Sequence, residues 1–486
     1  MDEALSRKTF LRHTLSAAAV RGVARLKGFI VLPLIAKAFG TETYGAWAQL
    51  MAVLAFCIPF TLFGLSAITR KFFITEGDTL VVRRTFWAIA SFAIAASALL
   101  IGILVVFADP IARALFKAPV GSVIVLASAI IPLTALHTLL TDVLLAFRAV
   151  RRWSVLVLLR ECIEIGLLLS LLVFPVSSAD ILIILVLITI VSSAIAVVVG
   201  VFLTRREAWF ARPDFIRARS YFRVGWPLFV SGFAGGFILI GGRFVLGVTH
   251  TLREVGVYTG IVAVSAVAFQ ALGEALAISL LPTLSALWAQ QRREEATAQL
   301  ARFLGAYFAL GLPMLFGLTA IANDLLALSA NADFAASWYL VPIIATGFFA
   351  YHGLAIADYV FVTVERTRTI LIGMGAAVVV NMALNVLLIP TFGMAGAAVS
   401  ILITYVAYGV AIVIAARRYL AISIPMTRVW RSAIASFIMF SVVSRLRFDD
   451  VSGLVSAILI GTLLSVGAYG ALTAFRTLAL CRVHIR

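Results

Sequence analysis

Residues 14–36 read TLSAAAVRGVARLKGFIVLPLIA. Roughly 20 residues at ~1.5 Å rise cross the ~30 Å hydrocarbon core of a bilayer, so Thr14 to Ala36 is long enough for one crossing. The stretch also carries Arg21, Arg25 and Lys27. A cation at the bilayer centre costs ~2.5–3.5 kcal/mol on a translocon scale. Three in one crossing require compensation by a watery cavity, an anionic partner or snorkelling to an interface. The segment therefore predicts a membrane helix that lines a cationic cavity for an anionic, phosphate-bearing substrate.

The rest of the chain supports the membrane reading. Of its 486 residues, 63% are hydrophobic and only 13% charged, which points to an all-α polytopic membrane protein and leaves no room for a soluble domain. No small-residue cleavage site follows the polar first 13 residues, so an uncleaved first helix is expected. Cys57, Cys162 and Cys481 are scattered singly and form neither a disulfide framework nor a metal spacing. The excess of Lys and Arg, 39 against 22 acids, resembles a nucleic-acid binder's until the charges are placed on loops.

Apolar runs bounded by charges, Gly and Pro predict about fourteen crossings, near residues 14–36, 43–67, 85–107, 120–146, 153–174, 180–203, 222–247, 255–282, 302–321, 337–362, 369–389, 394–416, 429–445 and 452–474. With both termini cytoplasmic, 28 of the 39 cations fall on the inside and six on the outside, a bias that a missed or extra helix would scramble. Twelve crossings with a re-entrant last pair is the competing count. The stretch Thr204 to Arg223, with six arginines and Pro213, reads as a link between two halves. AKAFGTETYGAWAQLMAV from Ala36 resembles VLGVTHTLREVGVYTGIVAV from Val245, and the surroundings of His137 match those of His352. Both repeats begin on the same side, so two six-helix lobes related by a parallel repeat are expected around a central cavity. The expected limits are 1–212 for the first lobe, 213–418 for the second, and 419–486 for two additional C-terminal helices.

The candidate site residues are the polar groups inside crossings. Arg21 and Arg25, four apart, share a helix face, and Arg25 lies about 16 Å into the crossing, near the midplane. Lys27 points roughly 120–200° away from them, which suggests an outward, snorkelling side chain. Crossing five carries Arg160, Glu161 and Glu164. Arg160 and Glu164 form an i,i+4 pair, so the three residues are either a self-neutralising cluster or a site where the surplus acid titrates and couples transport to protons. Arg160 could also reach the cavity and bind phosphate. Arg243 follows Pro227, Gly235, Gly236, Gly241 and Gly242, which predict a bent or broken helix. Asp142 and Asp358 are expected to pair at the interface with Arg148 and with Arg366 and Arg368. His137 and His352 occupy matched positions, for a symmetric proton site or for interhelical hydrogen bonds. Asn381 and Asn385 are read as packing links between helices.

Enzyme motifs are absent: the sequence has no phosphate loop, H-E-x-x-H, G-x-S-x-G or dinucleotide fingerprint. No catalytic residue, metal site or cofactor is expected, and the chain is read as a transporter.

The basic first helix, KAFGTETYG from Lys37, EVGVY from Glu254 and NMALNVLLIPTFGMAGAAVSILITY from Asn381 resemble the bacterial polysaccharide-transporter family. These are the Wzx-type flippases of lipid-linked oligosaccharides, within the multidrug/oligosaccharidyl-lipid/polysaccharide exporter superfamily. The resemblance implies two six-helix lobes with alternating access. It also implies a polyprenyl-diphosphate-linked oligosaccharide moved from the cytoplasmic to the periplasmic leaflet of the bacterial inner membrane, for exopolysaccharide, capsule or O-antigen synthesis. The diphosphate then falls to Arg25, Arg21, Arg160, Lys27 and Arg243, and ion coupling to Glu161, Glu164, His137, His352 and Asp358. Partners are membrane lipid, glycan polymerase and glycosyltransferases, with no nucleic acid, and a monomer is expected. Relatives often carry an acid near the end of crossing seven, where this chain has Gly242 and Arg243. The rival readings are a multidrug cation antiporter of the same superfamily and a membrane-embedded glycan polymerase or ligase.

Overall fold

The computed structural model describes residues 20, 27–28, 30–66, 69, 73, 79–173, 180–446 and 450–483. Arg21 and Arg25 lie outside the described residues. Among the described residues the regular structure is helical throughout, without strands. The protein is an all-α, polytopic membrane protein, and eleven described helices are long and apolar enough to cross a bilayer.

In chain order the helices are α1 (Ile30–Phe39), α2 (Thr41–Leu62), α3 (Thr79–Phe116), α4 (Gly121–Ala146), α5 (Val150–Ser170), α6 (Ile181–Leu203), α7 (Phe215–Thr249) and α8 (Leu252–Ala289). They continue with α9 (Arg293–Ser329), α10 (Leu340–Thr363), α11 (Arg368–Ala416), α12 (Met426–Val443) and α13 (Val451–Val483). The charge-rich α5 is 21 residues long, enough for a crossing despite Arg160, Glu161 and Glu164. The 49-residue α11 is two rods, because Gly393 takes φ 54° and ψ −131° just after Pro390. Only glycine adopts that backbone readily, which explains the Ile-Pro-Thr-Phe-Gly sequence at the join. α7, in contrast, runs unbroken through Pro227 and its glycines. Of the bent or broken helix expected there, the break is absent among the described residues. In hydrocarbon no water replaces a lost backbone hydrogen bond, so the helix stays continuous where no other partner is supplied.

Helix ends repeat one device. Arg148, Gln291 and Glu365 take left-handed φ of 53°, 59° and 58° after α4, α8 and α10. The next amide donates back to the last turn in each case: Ala149 to Leu144 O, Arg292 to Leu287 O and Arg366 to Phe361 O, at 2.8–2.9 Å. This closes the helix with a Schellman-type cap and turns the chain sharply into the next helix.

The chain packs as two compact units, residues 1–256 and 257–486. In the first, the core is built from α3, α4, α5 and α6, with Ile89, Leu139, Val143, Leu144 and Leu156 fully buried. α7 packs in this unit, through a ladder of phenylalanines with α2: Phe60 meets Phe229 and Phe233 at 5.2 and 5.0 Å, and Phe63 stacks on Phe229 at 4.3 Å. In the second unit, α12 docks on α9, where Ser432 donates to Phe308 O and Ala309 O, and Ile321, Met439, Val443 and Leu454 form a small core with α13. Elsewhere apolar side chains face outward, as Leu99, Val106, Val198 and Leu387 do, each about 70% exposed. A lipid-facing surface is expected to look like this.

Candidate functional site: a buried charge cluster

Lys27 meets α5 in the first unit. Its ammonium lies 2.6 Å from Glu164 Oε2 and 3.1 Å from Glu161 Oε2. Glu164 is buried, and Thr189 of α6 approaches its other oxygen at 3.5 Å. This corrects two expectations. Lys27 does not point outward: its ammonium is turned toward the carboxylates of α5. Glu164 is not held by Arg160 either. Glu161 and Glu164, three apart, share a face and converge on one cation, whereas an Arg placed N-terminal to a Glu at i,i+4 is the weaker helical order.

Arg160 is left over. Among the described residues it forms no ion pair, and its buried Nε has no hydrogen-bond partner. Its guanidinium acts electrostatically on His137 of α4. His137 is buried, contacts the Leu156 backbone and leaves Nε2 without a hydrogen bond. Helices α4, α5 and α6 and Lys27 thus bring two cations, two carboxylates and an imidazole together in an apolar surround. A buried charge is costly to leave without its partner, so the pairing with Lys27 stabilises Glu161 and Glu164 in this surround.

The other predicted residues lie elsewhere. Arg243 of α7 is half-buried, and its charge acts on Tyr44 of α2. Asp142 of α4 accepts a hydrogen bond from Ser66 Oγ at 2.5 Å, a partner the sequence did not suggest.

The second unit holds its own polar cluster. Tyr408 Oη donates to Asp358 Oδ1 and Oδ2 at 2.9 and 3.0 Å, in place of the expected Arg366 and Arg368. The correction has a simple cause: Asp358 projects onto the second rod of α11 and not toward the chain turn that follows α10. Tyr351 stacks on Tyr405 at 4.6 Å and lies 6.0 Å from Tyr408. His352 packs between Phe348, Tyr351 and the Cα of Gly273, where an added Cβ would meet its ring at 3.0 Å. His137 and His352 therefore sit in different chemistry, one beside a guanidinium and the other among aromatic rings. Tyr405 and Tyr408, three apart on one helix, were the sequence signal for this cluster. Asn385 Nδ2 donates to Asn381 Oδ1 at 2.9 Å, and Asn381 Nδ2 to Thr404 Oγ1 at 3.1 Å, so these amides link the two rods of α11.

Residues 10–288, more than half of the chain, match the family described as "Polysaccharide biosynthesis protein". A probable low-salt glycan biosynthesis flippase, Agl15 of Haloferax volcanii, is 25% identical over 201 residues, 40% of this chain and 41% of that protein. The chain thus spans about two-fifths of the length of this curated relative. Among solved structures, the lipid II flippase MurJ in an inward closed conformation superposes with a TM-score of 0.76, covering 97% of this chain and 100% of that one at 13% identity. An inward-facing multidrug resistance MATE family transporter of the MOP superfamily superposes with a TM-score of 0.66 over 81% of this chain and 94% of that one, also at 13% identity. The fold is that of these transporters.

Proposed function

Because the chain belongs to the polysaccharide biosynthesis protein family, we propose that it is a flippase for a lipid-linked glycan. The substrate is a polyprenyl-diphosphate-linked oligosaccharide, carried from the cytoplasmic to the periplasmic leaflet of a bacterial inner membrane for exopolysaccharide, capsule or O-antigen assembly. Both termini are cytoplasmic, and the working unit is a monomer that hands its product to a glycan polymerase and receives it from glycosyltransferases. The two lobes, 1–212 and 213–418, move by alternating access, with 419–486 added outside the repeat.

The observation that carries this reading is the Lys27–Glu161–Glu164 cluster with Arg160 unpaired beside it. Guanidinium groups bind a diphosphate through charge-assisted, often bidentate bonds, while the prenyl tail remains in lipid. Arg25, Arg21 and Arg160 bind the diphosphate, and Arg243 contributes a further positive charge. Lys27 joins only by leaving its carboxylates, which ties substrate binding to the protonation of Glu161 and Glu164. His137, His352 and Asp358 are further coupling groups. The chain supplies no catalytic step.

Substituting Arg25→Ala or Arg160→Ala abolishes polymer export and leaves the lipid-linked glycan on the cytoplasmic leaflet, with the protein still in the membrane. Wild-type export from both variants overturns the assignment. A second reading, export of cationic drugs, is favoured by one feature: Asp358 beside Tyr408, Tyr351 and Tyr405 is an acid in an aromatic surround, which suits a cation. A drug-resistance phenotype with normal surface glycans supports that alternative.

A further inference from the structure

The segment that follows α6 is pinned from several sides within the first unit. Arg152 of α5 donates from Nη1 to Leu203 O, the end of α6, and from Nη2 to Glu207 Oε1, both at 2.7 Å. Arg83 of α3 donates to Arg206 O at 2.5 Å, and Trp87 Nε1 to Ala208 O at 3.2 Å. The Asp214 amide donates to Arg84 O at 3.2 Å. Partners more than 50 residues away in sequence therefore set the shape of residues 203–214.

This shape borders an open cavity of about 450 Å³, lined by Arg152, Phe202, Leu203, Arg205, Arg206 and Glu207, with Arg205 and Arg206 exposed. Glu207 is taken by Arg152. Arg205 lies over the Phe202 ring at 4.5 Å, and among the described residues neither Arg205 nor Arg206 has a carboxylate partner. The lining therefore carries two uncompensated positive charges. Next to it Trp209 and Phe210 are 65% and 66% exposed, with Phe210 braced edge-on against Trp87 at 5.3 Å. Such aromatic rings favour the headgroup level of a bilayer. Val198, Val201 and Phe202 form an exposed apolar strip along α6 that leads to the cavity.

We propose that this cavity binds the headgroup phosphate of an anionic phospholipid through Arg205 and Arg206, with the acyl chains along Val198, Val201 and Phe202. The pinned backbone lowers the ordering cost of binding, since the chain that carries the arginines is already fixed. The apolar strip beside them selects a lipid over a free phosphate. This site is independent of the transport reading.

The test uses the full chain in nanodiscs of phosphatidylcholine doped with phosphatidylglycerol, with retained lipid counted by native mass spectrometry. Wild type is expected to retain phosphatidylglycerol over phosphatidylcholine. R205Q/R206Q is expected to lose that preference at least tenfold, while R205K/R206K keeps most of it. R417Q/R418Q, a second arginine pair at a helix end, is expected to behave as wild type. Equal losses in both Gln pairs overturn the proposal, as does retention of glycerol phosphate equal to that of the lipid. A photoreactive phosphatidylglycerol should label residues 198–210 of wild type. Absence of that label overturns the proposal even if R205Q/R206Q fails to fold.

Discussion

Gly45 and Gly256 lie back to back. A Cβ on Gly45 would fall 1.8 Å from Leu252 O and 3.1 Å from Gly256 N; one on Gly256 would fall 2.7 Å from Thr41 O and 2.9 Å from Gly45 N. The contact is reciprocal: each glycine presses on the first helical residue of the other segment. Thr41–Gly45 and Leu252–Gly256 are the aligned parts of the two stretches whose sequences resemble each other.

Gly45→Val or Gly256→Val should therefore force the starts of α2 and α8 apart. Overpacking of this sort costs ~1–3 kcal/mol, read as a lower melting temperature of the detergent-solubilised protein. Gly102→Ala, where an added Cβ meets nothing within 4 Å, should leave melting unchanged or raise it.

Lys27→Met strands Glu161 and Glu164 without their cation. Breaking one side of a buried pair costs ~3–5 kcal/mol. Because Lys27 remains partly exposed, the lower end is expected. Adding Glu164→Gln to Lys27→Met should restore most of the loss. A double-mutant cycle with additive effects would show that the pair does not couple.

Tyr408→Phe removes the donor that serves both oxygens of Asp358. A buried acceptor left without its donor costs ~1–3 kcal/mol. Asp358→Asn in the Tyr408→Phe background should recover part of the stability by removing the stranded charge. Equal melting of wild type and Tyr408→Phe would refute the bond's role.

Asn381→Leu cuts the link from Asn385 through Asn381 to Thr404. Interhelical hydrogen bonds in membranes average ~0.6 kcal/mol with a maximum near 1.7, so a small loss is expected. It should appear as faster hydrogen exchange near Gly393, where the two rods join.

Much of the architecture was legible before any coordinates. Runs of apolar residues long enough for a bilayer located the helices, and the expected crossing limits at residues 389 and 394 fall at the join of the two rods of α11. At Pro227 α7 stays a continuous helix. Local composition states what a backbone can do. The surrounding packing and the lack of water decide whether it does so.

The site divides along the same line. The sequence by itself determined that cations and acids, Lys27, Arg160, Glu161 and Glu164 among them, lie inside apolar segments, where a charge without a partner is costly. Which of them paired, and with which neighbour, was decided only by the tertiary structure. Helical periodicity relates residues on one helix and says nothing about which neighbour covers each face. The pairing of Lys27 with Glu161 and Glu164, the release of Arg160, and the meeting of Tyr408 with Asp358 each depend on which helices pack side by side. That choice is made by the sum of many weak contacts across the chain, and no single segment contains it.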